Sequence, residues 1–151
     1  MAKINKLSHA QFKTIVKLMH AKRNEKTMLC LEQLYVIEGL DKKTEFIESL
    51  EDWKLRKYVL NACDAFDKAF LIAAEFLNAR NLDVRLKIAI RAYKKETSTD
   101  SLEILMLSYI EGLSQSEVSD RTGVNQSTVS REIKRYIEIE QIMAEIAYLF
   151  K

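Results

Sequence analysis

The sequence predicts an all-α protein: a multi-helix bundle with a C-terminal helix-turn-helix and a long terminal helix. The chain of 151 residues contains no proline. Its three glycines, Gly39, Gly112 and Gly123, each fall where an apolar helical pattern ends. Apolar residues recur at three- and four-residue spacing along most of the chain. Because 48% of the residues are apolar and 30% are charged, the chain can bury a core beneath a charged surface.

The first two predicted helices lie before Gly39. Ser8 and Gln11 match a capping box, and the apolar stripe that follows them predicts a helix over 8–22. Asn24 can cap a second helix, whose apolar residues continue at helical spacing until Gly39.

A short helix over 41–50 precedes the longest uninterrupted predicted helix of the N-terminal half, which covers 51–80. The apolar residues of this long helix keep the four-three spacing of a seam between paired helices. Two partners for the seam stay open, namely a neighbouring helix of the same chain and a helix of a second subunit. The seam consists of Leu55, Val59, Ala62, Phe66, Ala69, Ala73 and Phe76.

A polar stretch over 97–100 marks the predicted domain boundary. A helix that begins near Asn81 ends in basic residues just before this stretch. We therefore predict a helical N-terminal domain over 1–96 and a helix-turn-helix domain with a C-terminal helix over 97–151. The N-terminal domain would serve oligomerisation or be a degenerate repeat of the second domain.

A local sequence similarity between two segments is the reason for considering a repeat. Residues 34–40 read Leu-Tyr-Val-Ile-Glu-Gly-Leu, and residues 107–113 read Leu-Ser-Tyr-Ile-Glu-Gly-Leu. In both places a helix end is followed by a new capping residue. In the first copy Trp53, Leu55 and Tyr58 are poor substitutes for a polar reading face. Duplication and chance similarity both stay open.

Residues 112–136 have the pattern of a helix-turn-helix. Ser114 and Glu117 form a capping box that starts a short helix, and Gly123 can take the positive φ that ends it. Asn125 can then cap a second helix, whose apolar side faces the first. The apolar residues that would hold the motif together are Val118, Val124, Val129 and Ile133.

The side chains left on the outer face of the second helix are amides, hydroxyls and a guanidinium. Such groups match the donor and acceptor patterns of base edges in the major groove, whereas a merely solvated helix more often carries Glu and Lys pairs. The pattern predicts binding of double-stranded DNA. The predicted DNA-binding residues are Ser114, Gln115, Arg121, Asn125, Gln126, Ser127, Thr128, Ser130, Arg131, Lys134 and Arg135.

The chemistry of these side chains predicts separate roles. Arg131 can make two hydrogen bonds to guanine, and Gln126 can make two to adenine. Asn125, Ser127 and Ser130 are expected at bases or phosphates. Long basic side chains suit phosphates, and the candidates are Arg121, Lys134 and Arg135.

The net charge of +2 does not by itself indicate a nucleic-acid partner. Basic residues are nevertheless concentrated in two clusters, one over 1–26 and the other over 80–95. Each cluster could contact phosphates or be a solvated surface, and both interpretations stay open.

One long helix is expected from about 126 to 150, because the apolar spacing continues without a stop signal. Its last turns lie beyond the reach of the helix-turn-helix. They must be buried by the rest of the chain or by a second subunit, and we expect a second subunit.

These motifs resemble PapB-like fimbrial adhesin transcription regulators and KorA/TrfB-like plasmid repressors. The resemblance lies in the opening Leu-Ser-His-Ala-Gln-Phe over 7–12 and in the reading unit over 112–136. It implies a small dimeric bacterial regulator, and repression of a bacterial, plasmid or phage operon is the expected action. The Gly-Leu-Ser start at 112–114 is also similar to region four of sigma factors, which would act with RNA polymerase. A helical protein-interaction adaptor is the alternative of another class.

The sequence offers no catalytic or metal-binding pattern. Cys30 and Cys63 are isolated at apolar helical positions, and no cysteine or histidine stands beside them at metal-ligand spacing. Residues 1–99 show no serine or tyrosine nucleophile accompanied by the group of arginines that a site-specific recombinase needs. No signal peptide or membrane span is found in the sequence. We expect a cytoplasmic, nucleoid-associated homodimer that is not an enzyme, needs no cofactor or metal, and does not bind membranes.

Overall fold

The computed structural model describes residues 5–19, 23–93 and 99–151, and within these ranges it contains eight α-helices and no strand. The prediction of an all-α fold is therefore confirmed. No helix in the described ranges is long and apolar enough to cross a membrane. The helices are α1 (His9–Val16), α2 (Glu25–Glu32), α3 (Lys43–Glu48), α4 (Trp53–Asn78), α5 (Leu82–Tyr93), α6 (Thr99–Tyr109), α7 (Gln115–Thr122) and α8 (Gln126–Leu149).

Two short segments connect α2 to α3. A π-helical segment, Gln33–Glu38, extends α2 as far as Gly39. A 3₁₀ turn, Leu40–Lys42, then leads into α3. Gly39 has φ 99°, and a Cβ atom built there would lie 2.7 Å from the Asn5 side-chain nitrogen. The positive φ therefore requires a glycine, and the Asn5 side chain of the N-terminal segment lies close to it.

Capping side chains start the first two helices as predicted. The Ser8 hydroxyl accepts a hydrogen bond from the Gln11 amide at 3.1 Å, and the Gln11 side chain accepts one from the Ser8 amide at 2.8 Å. Asn24 accepts from the Thr27 amide at 2.8 Å. The predicted end of the first helix at residue 22 is wrong. Its last bonds are of the tighter 3₁₀ type, such as Leu18 N to the Ile15 carbonyl at 2.9 Å.

The main core lies where α1, α4, α5 and α8 pack on one another. Phe66 of α4 is buried there, with its ring centroid 5.3 Å from Phe12 and 4.3 Å from Tyr35. The Tyr35 hydroxyl donates a hydrogen bond to Asp67 at 2.7 Å. Burial, together with this bond, raises the pKa of Tyr35 above its ordinary value, so the hydroxyl stays protonated as a donor.

The apolar seam of α4 faces helices of the same chain, which decides between the two partners left open by the sequence. Helix α4 packs against α1, α2, α5 and α8. Leu55 is half-buried, and the other six predicted seam residues are buried: Val59, Ala62, Phe66, Ala69, Ala73 and Phe76.

The expectation that a second subunit covers the end of α8 is wrong. Helices α1, α4 and α5 of the same chain fold back onto α8 and cover its apolar stripe. The Gln11 side chain donates a hydrogen bond to the Leu149 carbonyl at 2.8 Å, and Phe70 packs edge-on against Phe150. The buried stripe consists of Ile139, Met143 and Ile146.

Helices on both sides of the predicted domain boundary contribute to the main core, because α8 packs against α1, α4 and α5. The boundary at 96–97 lies outside the described residues, as do Lys94 and Lys95 of the second basic cluster and the first two residues of the predicted linker over 97–100. The division into 1–96 and 97–151 stays a prediction.

Candidate nucleic-acid interface

Helices α6, α7 and the first half of α8 form a helix-turn-helix with a small hydrophobic cluster of its own. Val118 of α7 and Val129 of α8 are fully buried in this cluster. Helix α6 supports the motif with Ile104 and Leu107. The predicted packing is confirmed, because the half-buried residues of the cluster are Leu113, Val124 and Ile133.

Hydrogen bonds close the turn between the two helices. Gly123 has φ 71°, in the left-handed region, and its amide donates to the Ser119 carbonyl at 2.9 Å. The Ser119 hydroxyl donates to the Val124 carbonyl at 2.6 Å. The Thr122 hydroxyl donates to the Val118 carbonyl at 2.8 Å and accepts from the Val124 amide at 3.2 Å. The sequence indicated the glycine but not the two hydroxyl contacts, which hold the corner in one conformation.

The start of α7 has the predicted capping box. Ser114 and Glu117 each accept a hydrogen bond from the other's backbone amide, both at 3.2 Å. Ser114 and Gln115 are exposed at this helix start. The positive end of the helix dipole and these polar groups suit a phosphate oxygen.

The start of α8 is capped by Asn125. Its side-chain oxygen accepts from the amide and from the hydroxyl of Ser127, both at 3.0 Å. Only the side-chain NH₂ group of Asn125 is therefore left for a DNA acceptor without breaking the cap. The cap fixes the direction in which α8 leaves the turn.

Five polar side chains lie on the solvent side of the first turns of α8. We call this surface the reading face, and all five of its residues are exposed. On the opposite side of the same helix Val129, Glu132 and Tyr136 are buried, and Thr128 is half-buried between the two sides. The reading face consists of Gln126, Ser127, Ser130, Arg131 and Lys134.

Two predicted phosphate-binding arginines lie outside the reading face. The Arg121 guanidinium is 4.0 Å from the Glu111 carboxylate, and both groups are more than half exposed. Such an exposed ion pair contributes little to stability, so a phosphate can replace it. Arg135 lines a cavity of about 230 Å³ together with Lys17 and Ala92, against α1 and α5. Arg135 therefore lies next to α1 and α5, and a phosphate bound by Arg135 would lie closer to these helices than one bound by the reading face.

Tyr136 anchors the reading helix in the main core. Its side chain is fully buried and packs edge-on against Tyr109, with centroids 4.8 Å apart. Burial and the neighbouring Glu140 raise the pKa of Tyr136 to about 12, so its hydroxyl can donate to the Glu140 carboxylate 3.4 Å away. Sequence reasoning did not single out Tyr136, although its spacing of two helical turns from Val129 indicates that both residues lie on the buried side of α8. The reading face is thus built on a helix embedded in the core.

Part of the second basic cluster has a structural role. The Arg85 Nε donates to the Ala79 carbonyl at 3.0 Å, and its guanidinium lies 5.6 Å from the Phe76 ring centroid. Arg91 pairs with Glu75 at 2.9 Å. These contacts tie α5 to α4, so these two arginines are poorer candidates for phosphate contacts than the reading-face residues.

We expect Gly123→Ala to lower the free energy of unfolding by about 1–2 kcal/mol. A Cβ atom there would meet nothing within 4 Å, so the cost comes from the left-handed backbone alone. Urea unfolding measures the change. Gly123→Asn is the matched control, because asparagine tolerates this conformation and should lose less. Equal losses in both variants would contradict this explanation of the turn.

The geometry first defines a class: the C-terminal part of the chain carries a DNA-binding helix-turn-helix module. Residues 98–136 match the family model described as Sigma-70, region 4, which is itself such a module. The match covers α6, α7 and the first half of α8, and the residues before 98 lie outside it. No curated protein and no solved structure matches the chain. The likeness to region four is supported, and the resemblance to PapB-like and KorA/TrfB-like regulators is not confirmed.

Proposed function

We propose that this protein is a sequence-specific regulator of transcription that reads the major groove of double-stranded DNA with α8. The observation that carries the proposal is the exposure of the whole reading face on one side of the second helix of a helix-turn-helix. That helix is where such motifs place their base-contacting side chains.

Arg131 and Gln126 supply the base recognition in this proposal. The Arg131 guanidinium can donate two hydrogen bonds to O6 and N7 of guanine, and the Gln126 amide can pair with N6 and N7 of adenine. Each such pair discriminates against a wrong base by about 1–3 kcal/mol. Ser114, Gln115 and Lys134 are proposed at phosphates, where they would fix the orientation of α8 in the groove.

Regulation follows from occupying a promoter. Repression is the simpler outcome, because steric exclusion of polymerase requires no further contact. We propose a homodimer that places two reading helices on a pseudo-palindrome, with half-sites about one helical turn apart or a multiple of that. The site of action would be the bacterial nucleoid in the cytoplasm. The mechanism requires neither a catalytic step nor a cofactor.

A sigma-like, polymerase-associated factor is the second candidate function, and the match of residues 98–136 to sigma region four favours it. In this role the reading face would contact promoter DNA only as part of a complex with RNA polymerase. The two candidates differ in whether the isolated protein selects a DNA sequence.

Selection of duplexes from a random pool, at low and at physiological salt, tests the proposal. We expect the protein alone to enrich a two-fold-symmetric site that survives the higher salt. Specific base contacts retain affinity when the phosphate contribution is weakened by salt. A control variant with Arg131→Ala should enrich a site whose preference is relaxed at one base pair of each half-site.

The opposite result would support the second candidate. Binding that disappears at physiological salt without enriching a sequence would contradict an independent regulator. If a DNA sequence is then enriched only when bacterial RNA polymerase is added, the result would support the sigma-like role.

A further inference from the structure

The two halves of the chain have the same order of elements. In each half two helices lead to a positive-φ glycine, then to a short helix and a long one: α1 to α4 in the first half and α5 to α8 in the second. The long helices have 26 and 24 residues. Gly39 comes before α3, and Gly112 comes before α7. The sequence similarity around these two glycines is thus accompanied by the same order of helices in the structure.

The repeat extends to capping and burial. Asp52 caps α4 by accepting from the Lys54 amide at 2.9 Å, just as Asn125 caps α8 by accepting from the Ser127 amide at 3.0 Å. Asp52 and Asn125 are separated by the same number of residues as Gly39 and Gly112. In this register the following positions are buried in both halves: Leu31 and Ile104, Leu34 and Leu107, Cys63 and Tyr136, Phe66 and Ile139, and Ala73 and Ile146.

The start of α4 therefore occupies the place of the reading face in the first unit, but its chemistry is different. Trp53 stands at the position of Gln126, and Tyr58 stands at the position of Arg131. Trp53 is 64% exposed and Tyr58 is 48% exposed. An exposed indole and phenol offer little of the donor and acceptor pattern that base reading needs. Two exposed aromatic side chains in the first two turns of one helix suit a protein contact.

A cavity lies beside Trp53, between α2 and the start of α4. Its volume is about 620 Å³, and its apolar lining is formed by Leu29, Leu55 and Tyr58. Leu29 is 60% exposed. Trp53 stands between Asp52 and Lys54, which both line the cavity, and its indole is exposed. The indole and the cavity therefore offer a knob and a hole at the same end of α4. We call the surface formed by Leu29, Trp53, Leu55 and Tyr58 the α4 tip.

We propose that the α4 tip binds the α4 tip of a second copy of this chain, with Trp53 of each copy entering the cavity of the other. A two-fold dimer requires a self-complementary surface, which a knob beside a hole supplies. Tryptophan is also the residue type most typical of interface centres. The inference rests on the proposed function in one respect: it supplies the dimer that a two-fold-symmetric DNA site requires.

The charges around the α4 tip favour a second copy over a strongly acidic or basic partner. The charged side chains that line the cavity are two acidic and two basic ones. When such a surface faces its own copy, each charge can approach an opposite one, whereas a partner of one sign would be repelled by half of them. The acidic residues are Glu25 and Asp52, and the basic residues are Lys26 and Lys54.

Analytical ultracentrifugation over a wide concentration range tests the interface. We expect the parent to form a dimer and Trp53→Ala to weaken dimerisation by at least about 30-fold, the effect of losing an interface hot spot. Tyr148→Ala is the matched control, because Tyr148 is 74% exposed on α8, away from the α4 tip, and its loss should leave dimerisation unchanged. A parent that stays monomeric, or a Trp53→Ala variant that dimerises as tightly as the parent, would overturn the proposal.

Fluorescence gives an independent readout, because Trp53 is the sole tryptophan of the chain. Its emission should shift to shorter wavelength as the concentration rises through the dimerisation range. An emission maximum that stays typical of an exposed indole at all concentrations would overturn the proposal.

DNA binding separates this inference from the proposed function. Trp53→Ala should bind a single half-site as the parent does and should lose its advantage on the full symmetric site. A parent that dimerises but selects no DNA would support the interface and contradict the proposed function. A parent that selects a DNA half-site as a monomer would contradict the interface and the proposed homodimer, but would support base reading by α8.

Discussion

Replacing Arg131 by alanine is expected to weaken binding to the selected DNA site by about 1–3 kcal/mol and to relax specificity at one base pair. The side chain is exposed on the reading face, opposite the buried side of α8, so its removal should leave the fold intact. The loss comes from two hydrogen bonds to one guanine. Fluorescence anisotropy with the selected duplex, and with duplexes changed at each position, measures both effects.

Lys134→Ala is the matched control, since Lys134 lies on the same face but is proposed at a phosphate. It should weaken binding to all duplexes alike and reduce the slope of log affinity against log salt by about one. If Arg131→Ala bound every duplex as tightly as the parent, the assignment of Arg131 to a base would be wrong.

Replacing Tyr136 by alanine is expected to lower the free energy of unfolding by about 3–5 kcal/mol, the range for large buried aromatic residues. Tyr136 is fully buried and packs against Tyr109, so its loss leaves a cavity where the reading helix enters the main core. Urea unfolding, followed by circular dichroism, measures the change.

Tyr136→Phe separates the ring from the hydroxyl. The phenylalanine keeps the packing and loses only the contact to Glu140, which is long at 3.4 Å. We expect a loss of about 0.5–1.5 kcal/mol at most. A loss of less than about 3 kcal/mol in Tyr136→Ala would show that α8 is not anchored through this ring.

The features that the sequence predicted correctly depend on nearby residues. The caps at Ser8, Asn24, Ser114 and Asn125 each involve a backbone amide two or three residues away. The positive φ of Gly123 likewise follows from one residue type at a helix end. Short-range chemistry of this kind can be recognised without knowing the tertiary structure.

Several features that sequence reasoning missed depend on distant residues. Periodicity showed that one side of the end of α8 is apolar, but it could not show that α1, far away in sequence, covers that side. The same limit applies at the interface. The exposure of the reading face followed from helical spacing, whereas the pairing of Arg121 with Glu111 and the position of Arg135 against α1 and α5 did not.

The class of the C-terminal motif was easier to predict than its family. Capping residues, the turn glycine and the apolar pairs are requirements of any helix-turn-helix, so they indicate the fold without distinguishing its families. The match to sigma region four rests on residues 98–136 alone. Which bases the module reads depends on the side chains of the reading face rather than on the fold.

Methylation interference tests the central claim, base reading by α8, most directly. Dimethyl sulfate methylates guanine N7 in the major groove, where the Arg131 guanidinium is proposed to donate. We predict that methylation of one guanine in each half-site blocks binding of the parent and has no further effect on Arg131→Ala. Binding of the parent that tolerates methylation of every guanine, and is blocked only by methylation of adenine N3 in the minor groove, would contradict it.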